Sequence, residues 1–220
     1  MELRRPLAEL VGTMLLVAAV IGSGIMAERL AGGNVAIALL ANTIATAAAL
    51  LALITALGPV SGAHFNPIVT IVEALGGRLA WRAVPGFVAA QVVGGIAGAA
   101  LAHLMFSLPV VTMSMHERAG AAQIGSEAVA TFCLLLVIAG VSRARPAAVP
   151  ACVAAMIAAA YWFTASTSFA NPAVTIARAL SDTFAGIRPG DVPGFLLGQA
   201  IGAAVAVVVT RALWPAKALA

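Results

Sequence analysis

With 220 residues, of which 62% are hydrophobic and 9% charged, and a mean hydropathy of +1.06, the chain is far from the roughly 25% charged content of a water-soluble domain. A net charge of +4 suggests a nucleic-acid partner only superficially, because Lys and Arg form no block and aromatic residues, at 5%, offer no stacking platform. Soluble classes and nucleic-acid binding are excluded, and membrane lipid is the expected environment.

A bilayer-crossing helix needs about 20 apolar residues. Taken in chain order, spans are predicted near 7–27, 35–57, 83–106, 124–143, 147–165 and 192–213. The first span follows Arg4 and Arg5 in the manner of a secretory signal, but Glu9 interrupts it early and its second-half counterpart begins at Ser126 and Glu127, so it reads as a retained helix. Two shorter apolar pieces, 66–76 and 171–181, open on Asn66-Pro67-Ile68 and Asn171-Pro172-Ala173. They are too short to cross. Pro at a first helical turn sacrifices no hydrogen bond and the preceding Asn can cap, so both are predicted half-helices.

Six spans place both termini on one side. Arg4, Arg5, Arg78, Arg82, Arg143, Arg145, Arg211 and Lys217 fall at one set of span ends; Arg29, Arg118 and Arg188 fall at the other, among Glu28, Glu117, Asp182 and Asp191. By the positive-inside rule both termini are expected in the cytoplasm. Cys133 and Cys152 lie in apolar runs and read as buried free thiols. No cofactor or metal is expected.

The chain repeats itself. Glu9 and Thr13 match Glu127 and Thr131; 61–71 matches 166–176; Val84-Pro85-Gly86-Phe87 with Gln91 and Gly94 matches Val192-Pro193-Gly194-Phe195 with Gln199 and Gly202. The repeats cover about 7–106 and 124–213 of a single 1–220 channel domain. Each contains three spans and a half-helix. Because three is odd, the halves insert with opposite orientation, and their site falls at the bilayer midplane. Facing half-helix N-termini disfavour cations. The amides of Asn66 and Asn171 are left to donate to a passing solute oxygen.

Ser61-Gly62-Ala63-His64-Phe65-Asn66-Pro67 and Phe169-Ala170-Asn171-Pro172-Ala173 resemble the two pore loops of the major intrinsic protein family, the aquaporins and aquaglyceroporins, and the similarity runs from about 7 to 213. The resemblance implies an all-α membrane protein of six transmembrane helices plus two half-helices in an inverted 3+3 repeat. It further implies a homotetramer with one pore per subunit, small neutral solutes as cargo, and no enzyme activity.

The family usually places arginine directly after the second Asn-Pro-Ala, at the selectivity filter; here that position is Val174. Distances from the asparagines carry the other filter positions to Thr46, Ala159 and Ser168. The expected mouth is uncharged and wide. That departure resembles the bacterial arsenic-resistance branch of the family, which implies an inner-membrane channel for arsenous acid and methylarsenicals, glycerol-like polyols and water. A water- or glycerol-selective pore and a proton-coupled transporter are the alternatives. Arg178, two turns beyond Asn171, is expected as a vestibule or interface charge, and Glu73 has no predicted partner.

Glu9 and Glu127 are expected to accept hydrogen bonds from pore-loop backbone that lipid cannot satisfy. His64 is expected to brace its loop or line the pore, not to bind metal. Gly94 and Gly202, with Ala90 and Gly198 four residues earlier, are expected at close helix contacts. Ile68 stands where the family usually has Ala, and its methyl groups are expected between the two loops.

Overall fold

The computed structural model describes residues 3–215; Lys217 lies outside them. The regular elements among the described residues are all helices, with no strand. Helix α1 (Arg4–Leu30), α2 (Val35–Ser61), α4 (Val84–Met105), α5 (Ala121–Ala144), α6 (Val149–Phe163) and α8 (Val192–Leu213) form the six spans. The half-helices are α3 (Pro67–Leu75) and α7 (Pro172–Arg178).

Local sequence sets these boundaries. Three spans begin with Val-Pro, at Val84-Pro85, Val149-Pro150 and Val192-Pro193, each preceded by one 3₁₀ turn. Proline in a first turn lacks only an N–H that would have had no helical acceptor. The Asn34 carboxamide caps α2 by accepting from Ile37 N at 3.2 Å. At the other end of α2, Gly62 terminates the helix with φ +98°, a left-handed conformation that suits glycine.

Helix α1 packs on α4 and α2, α5 packs on α8 and α6, and α2 meets α6 across the halves. Backbone approaches backbone where side chains are absent. A Cβ added to Gly94 or Gly98 would stand 2.4 or 2.3 Å from the carbonyl oxygens of Leu10 and Met14; one added to Gly198 or Gly202 would stand 2.3 or 2.2 Å from those of Ile124 and Ala128. Gly12 likewise leaves the space that the Phe65 ring fills.

Three expectations change. Cys133, on α5, and Cys152, on α6, are free but only half-buried. Ile68 does not wedge between the loops; it lines an apolar groove of 400 Å³ between α3 and α8, beside Ala200 and Ala203. Its repeat partner Ala173 instead lets α7 approach α4, where a Cβ on Gly95 would lie 3.1 Å from the Ala173 oxygen. The larger side chain is thus taken up beside α8, and the loops remain bonded to each other through Asn66 and Asn171. Glu73 gains a partner, Arg78, whose Nε and Nη2 donate to its two carboxylate oxygens at 2.5 and 2.7 Å.

Candidate functional site: a cavity between two asparagine-capped half-helices

The two Asn-Pro segments meet at their N-terminal ends. Asn66 Oδ1 accepts from Ile68 N at 2.9 Å, and Asn171 Oδ1 accepts from Ala173 N at 3.0 Å and Val174 N at 3.3 Å. Each amide nitrogen then reaches the opposite loop: Asn66 Nδ2 donates to Ala170 O at 2.7 Å, and Asn171 Nδ2 to Phe65 O at 2.8 Å. A carboxamide nitrogen carries two hydrogens. One N–H on each asparagine is therefore left beyond the bond that locks the loops together.

The loops preceding the asparagines are non-helical and deeply placed, so their N–H groups need internal acceptors. Glu9 accepts from Ser61 Oγ at 2.6 Å, His64 N at 3.0 Å, Phe65 N at 2.7 Å and Gln91 Nε2 at 2.8 Å. Glu127 accepts from Phe169 N at 2.8 Å, Ala170 N at 2.9 Å and Gln199 Nε2 at 2.6 Å. Gln91 and Gln199 donate onward to Thr70 and Thr175. Both glutamates are fully buried. The same equivalence governs the backbone: Ala63 and Phe65, like Ser168 and Ala170, hold φ between +47° and +52°. Non-glycine residues reach that region at a cost of about 1–3 kcal/mol each, which the glutamate and asparagine bonds offset.

A cavity of 220 Å³ runs past these loops. Its walls follow helical spacing: Val149, Val153, Ile157 and Tyr161 from α6; Thr46, Leu50 and Ile54 from α2; Leu134, Ile138 and Ser142 from α5. Steps of four residues keep a side chain on one helix face. The half-helices add Asn66, Val69 and Glu73, and in equivalent positions Asn171, Val174 and Arg178. Thr46, Ser168 and Val174 line this cavity as well. Ala159 does not. It lies two residues, about 200° of helix, from the α6 stripe and is exposed on the outer face; Tyr161 occupies the wall instead and donates to Thr46 Oγ1 at 3.3 Å. Counting along the chain from Asn171 missed this, whereas the four-residue spacing of α6 would have found it.

His64 lines the cavity near Glu73 and bonds Thr70 Oγ1 through Nδ1 at 3.0 Å. The Ser168 hydroxyl has no hydrogen-bond partner. At the opposite end from Glu73 sits a cluster that the sequence reading did not assemble. Arg178 is 2% exposed, with its guanidinium carbon 3.3 Å from the Phe169 ring centroid and its Nε donating to Ala185 O. Arg118 approaches the same ring at 5.1 Å and donates to Gly186 O at 2.8 Å and Ser166 O at 3.3 Å. Nearby, on the loop between α4 and α5, partial burial and the guanidiniums of Arg118 and Arg178 lower the His116 pKa, against an opposing pull from Asp182. Arg178 thus stands at the C-terminal end of α7 and lines the cavity there, on the helix face that it shares with Val174.

Six apolar spans enclosing two half-helices, whose caps interlock around a lined cavity, define a membrane channel. Residues 1–165 match the family model described as major intrinsic protein. The aquaglyceroporin AqpS of Rhizobium meliloti is 57% identical over 97% of this chain and 92% of its own length. Aquaporin Z of Rhodopseudomonas palustris is 36% identical over 49% of this chain and 44% of its own. The solved aquaglyceroporin from Plasmodium falciparum superposes with a TM-score of 0.70 at 19% identity, covering 96% of this chain and 95% of that one. The chain belongs to the major intrinsic protein family. It is an integral membrane channel, not an enzyme.

Proposed function

We propose that the channel conducts small neutral hydroxylated solutes passively: glycerol-like polyols, arsenous acid and methylated arsenicals, with water passing too. The observation that carries this reading is the pair of asparagine amides, each with one N–H free beside the cavity and a carbonyl already committed to the backbone. Such a pair donates to uncharged oxygens and interrupts a chain of waters that would otherwise relay protons. The site comprises Asn66 and Asn171, the motif residues Pro67, Ile68, Pro172 and Ala173, and a filter built from Thr46, Ser168, Val174 and, in place of Ala159, Tyr161. Val174 leaves that level free of a long side chain, which favours solutes of glycerol size.

Glu9, Glu127 and His64 serve as loop supports. The two carboxylates have their acceptor positions occupied by loop N–H groups and glutamines, which favours a fixed scaffold over a proton-coupled carrier. In this reading the protein is a homotetramer in a bacterial inner membrane, both termini are cytoplasmic, and the Glu73 end of the cavity faces the cytoplasm. Stopped-flow light scattering on proteoliposomes, comparing water, glycerol and arsenous acid, tests the solute list. Each is expected to pass faster than through empty vesicles, and arsenous acid flux at the empty-vesicle rate contradicts that part of the reading.

A further inference from the structure

Glu73 and Arg178 occupy equivalent places in the two repeats, seven residues beyond Asn66 and Asn171, yet their environments differ. Glu73 is neutralised by a bidentate bond to Arg78. Among the described residues no carboxylate lies within salt-bridge distance of Arg178. Its planar guanidinium rests on the face of Phe169, and Phe169 is itself held edge-on by Phe195 with centroids 4.9 Å apart. Among the described residues only its Nε finds an acceptor, the Ala185 carbonyl. The two terminal nitrogens make no hydrogen bond to protein, yet they are not among the sealed polar atoms that lack a partner. The side chain lines the cavity, and these nitrogens are its unpaired polar atoms there.

We propose that Arg178 is a specificity-determining residue of the outer mouth: it supplies the positive charge and the oxygen-binding donors that Val174 lacks, one helical turn farther along the same face of α7. Four residues of helix displace the group by about 6 Å along the axis. Arginine remains charged in such a place, and its flat face suits an aromatic support better than an ammonium would. The Phe169 stack and the Ala185 bond hold the guanidinium against one wall. A solute at the Val174 level therefore meets an open lumen, and a cation meets an unneutralised charge next to it. Arg118, packed near the same ring and, among the described residues, likewise without a carboxylate at salt-bridge distance, adds to that positive potential. Neutral hydroxylated solutes gain donors for their oxygens, and methylammonium, though smaller than glycerol, is repelled by charge.

This inference rests on the channel reading above, and its test separates the two. Wild type, Arg178→Gln and Arg178→Lys are reconstituted, and glycerol flux is measured alongside methylammonium flux. Wild type is expected to pass glycerol and exclude methylammonium. Arg178→Gln, whose carboxamide still donates but carries no charge, should pass glycerol at a reduced rate and gain methylammonium flux by about tenfold, a barrier change of about 1.4 kcal/mol. Arg178→Lys, which keeps the charge, should continue to exclude the cation. A glycerol-conducting Arg178→Gln that still excludes methylammonium overturns the assignment of Arg178 and leaves the channel standing; wild-type protein that passes no neutral solute overturns the channel reading itself. Should the Gln variant fail to assemble, 2,3-butanedione applied to folded wild type neutralises accessible guanidiniums. A mass-spectrometric adduct on Arg178 together with a methylammonium leak is expected, and an unmodified Arg178 or an adduct without leak contradicts the proposal.

Discussion

At Asn171 one side chain does three things: its oxygen caps α7, one N–H holds the facing loop at Phe65, and the other N–H remains beside the cavity. Asn66 repeats this arrangement, and the duplication made both asparagines legible in the sequence. Glu9 and Glu127 were legible for the same reason, since a paired carboxylate in an apolar span calls for donors and loop backbone is the nearest supply. Glu127→Ala would leave the Phe169 and Ala170 N–H groups without an acceptor, each at about 1–3 kcal/mol, and far less folded protein is expected by size-exclusion chromatography in detergent; recovery at wild-type yield would contradict the scaffold role. Val174→Arg is expected to cut glycerol flux by about tenfold, about 1.4 kcal/mol, while water flux falls less. Equal losses of both in assembled protein would remove Val174 from the filter. Tyr161 escaped the sequence reading, and the stacking of Arg178 on Phe169 with it, because distance along a chain does not encode which way a helix turns its faces, whereas the contacts of α6 and α7 do.

At the scale of elements, the glycines at positions 94, 98, 198 and 202 let α4 touch α1 and α8 touch α5. A valine at Gly202 would push its Cβ into the Ala128 carbonyl, backbone that cannot rotate aside. Overpacking of that kind costs about 1–3 kcal/mol, and a lowered melting midpoint in detergent is expected for Gly202→Val, with an unchanged midpoint arguing against the close contact. Span positions were readable to within a few residues, as at 192–213 against Val192–Leu213, because hydropathy and Val-Pro starts mark them. The half-helix ends were less so: 171–181 shortens to Pro172–Arg178, since the chain turns back there to pair with the loop between α4 and α5 through Ser114 N to Ala179 O and Thr112 N to Leu180 O. Ile68 shows the same limit. Its bulk was plain in the sequence, but whether a helix groove or a loop would absorb it depended on the packing of α3 against α8.

Across the whole molecule, two copies of one three-span unit place equivalent residues on either side of a shared centre, so a hydrogen bond in one half predicts its partner in the other. The symmetry is broken where charge is concerned. Neutralised Glu73 at one end of the cavity and unneutralised Arg178 at the other give the lumen a direction that the repeat alone would not. That polarity was hidden in the sequence because Arg78, the residue that neutralises Glu73, lies beyond α3 in a turn with no counterpart after α7. Downhill movement of uncharged molecules past the paired asparagines is the behaviour on which the channel's proposed function depends. Glycerol uptake into proteoliposomes, followed with and without an imposed pH gradient, tests it most directly. Fast uptake that follows the glycerol gradient alone and ignores a protonophore is predicted; uphill accumulation driven by the pH gradient, or uptake no faster than in empty vesicles, would contradict it.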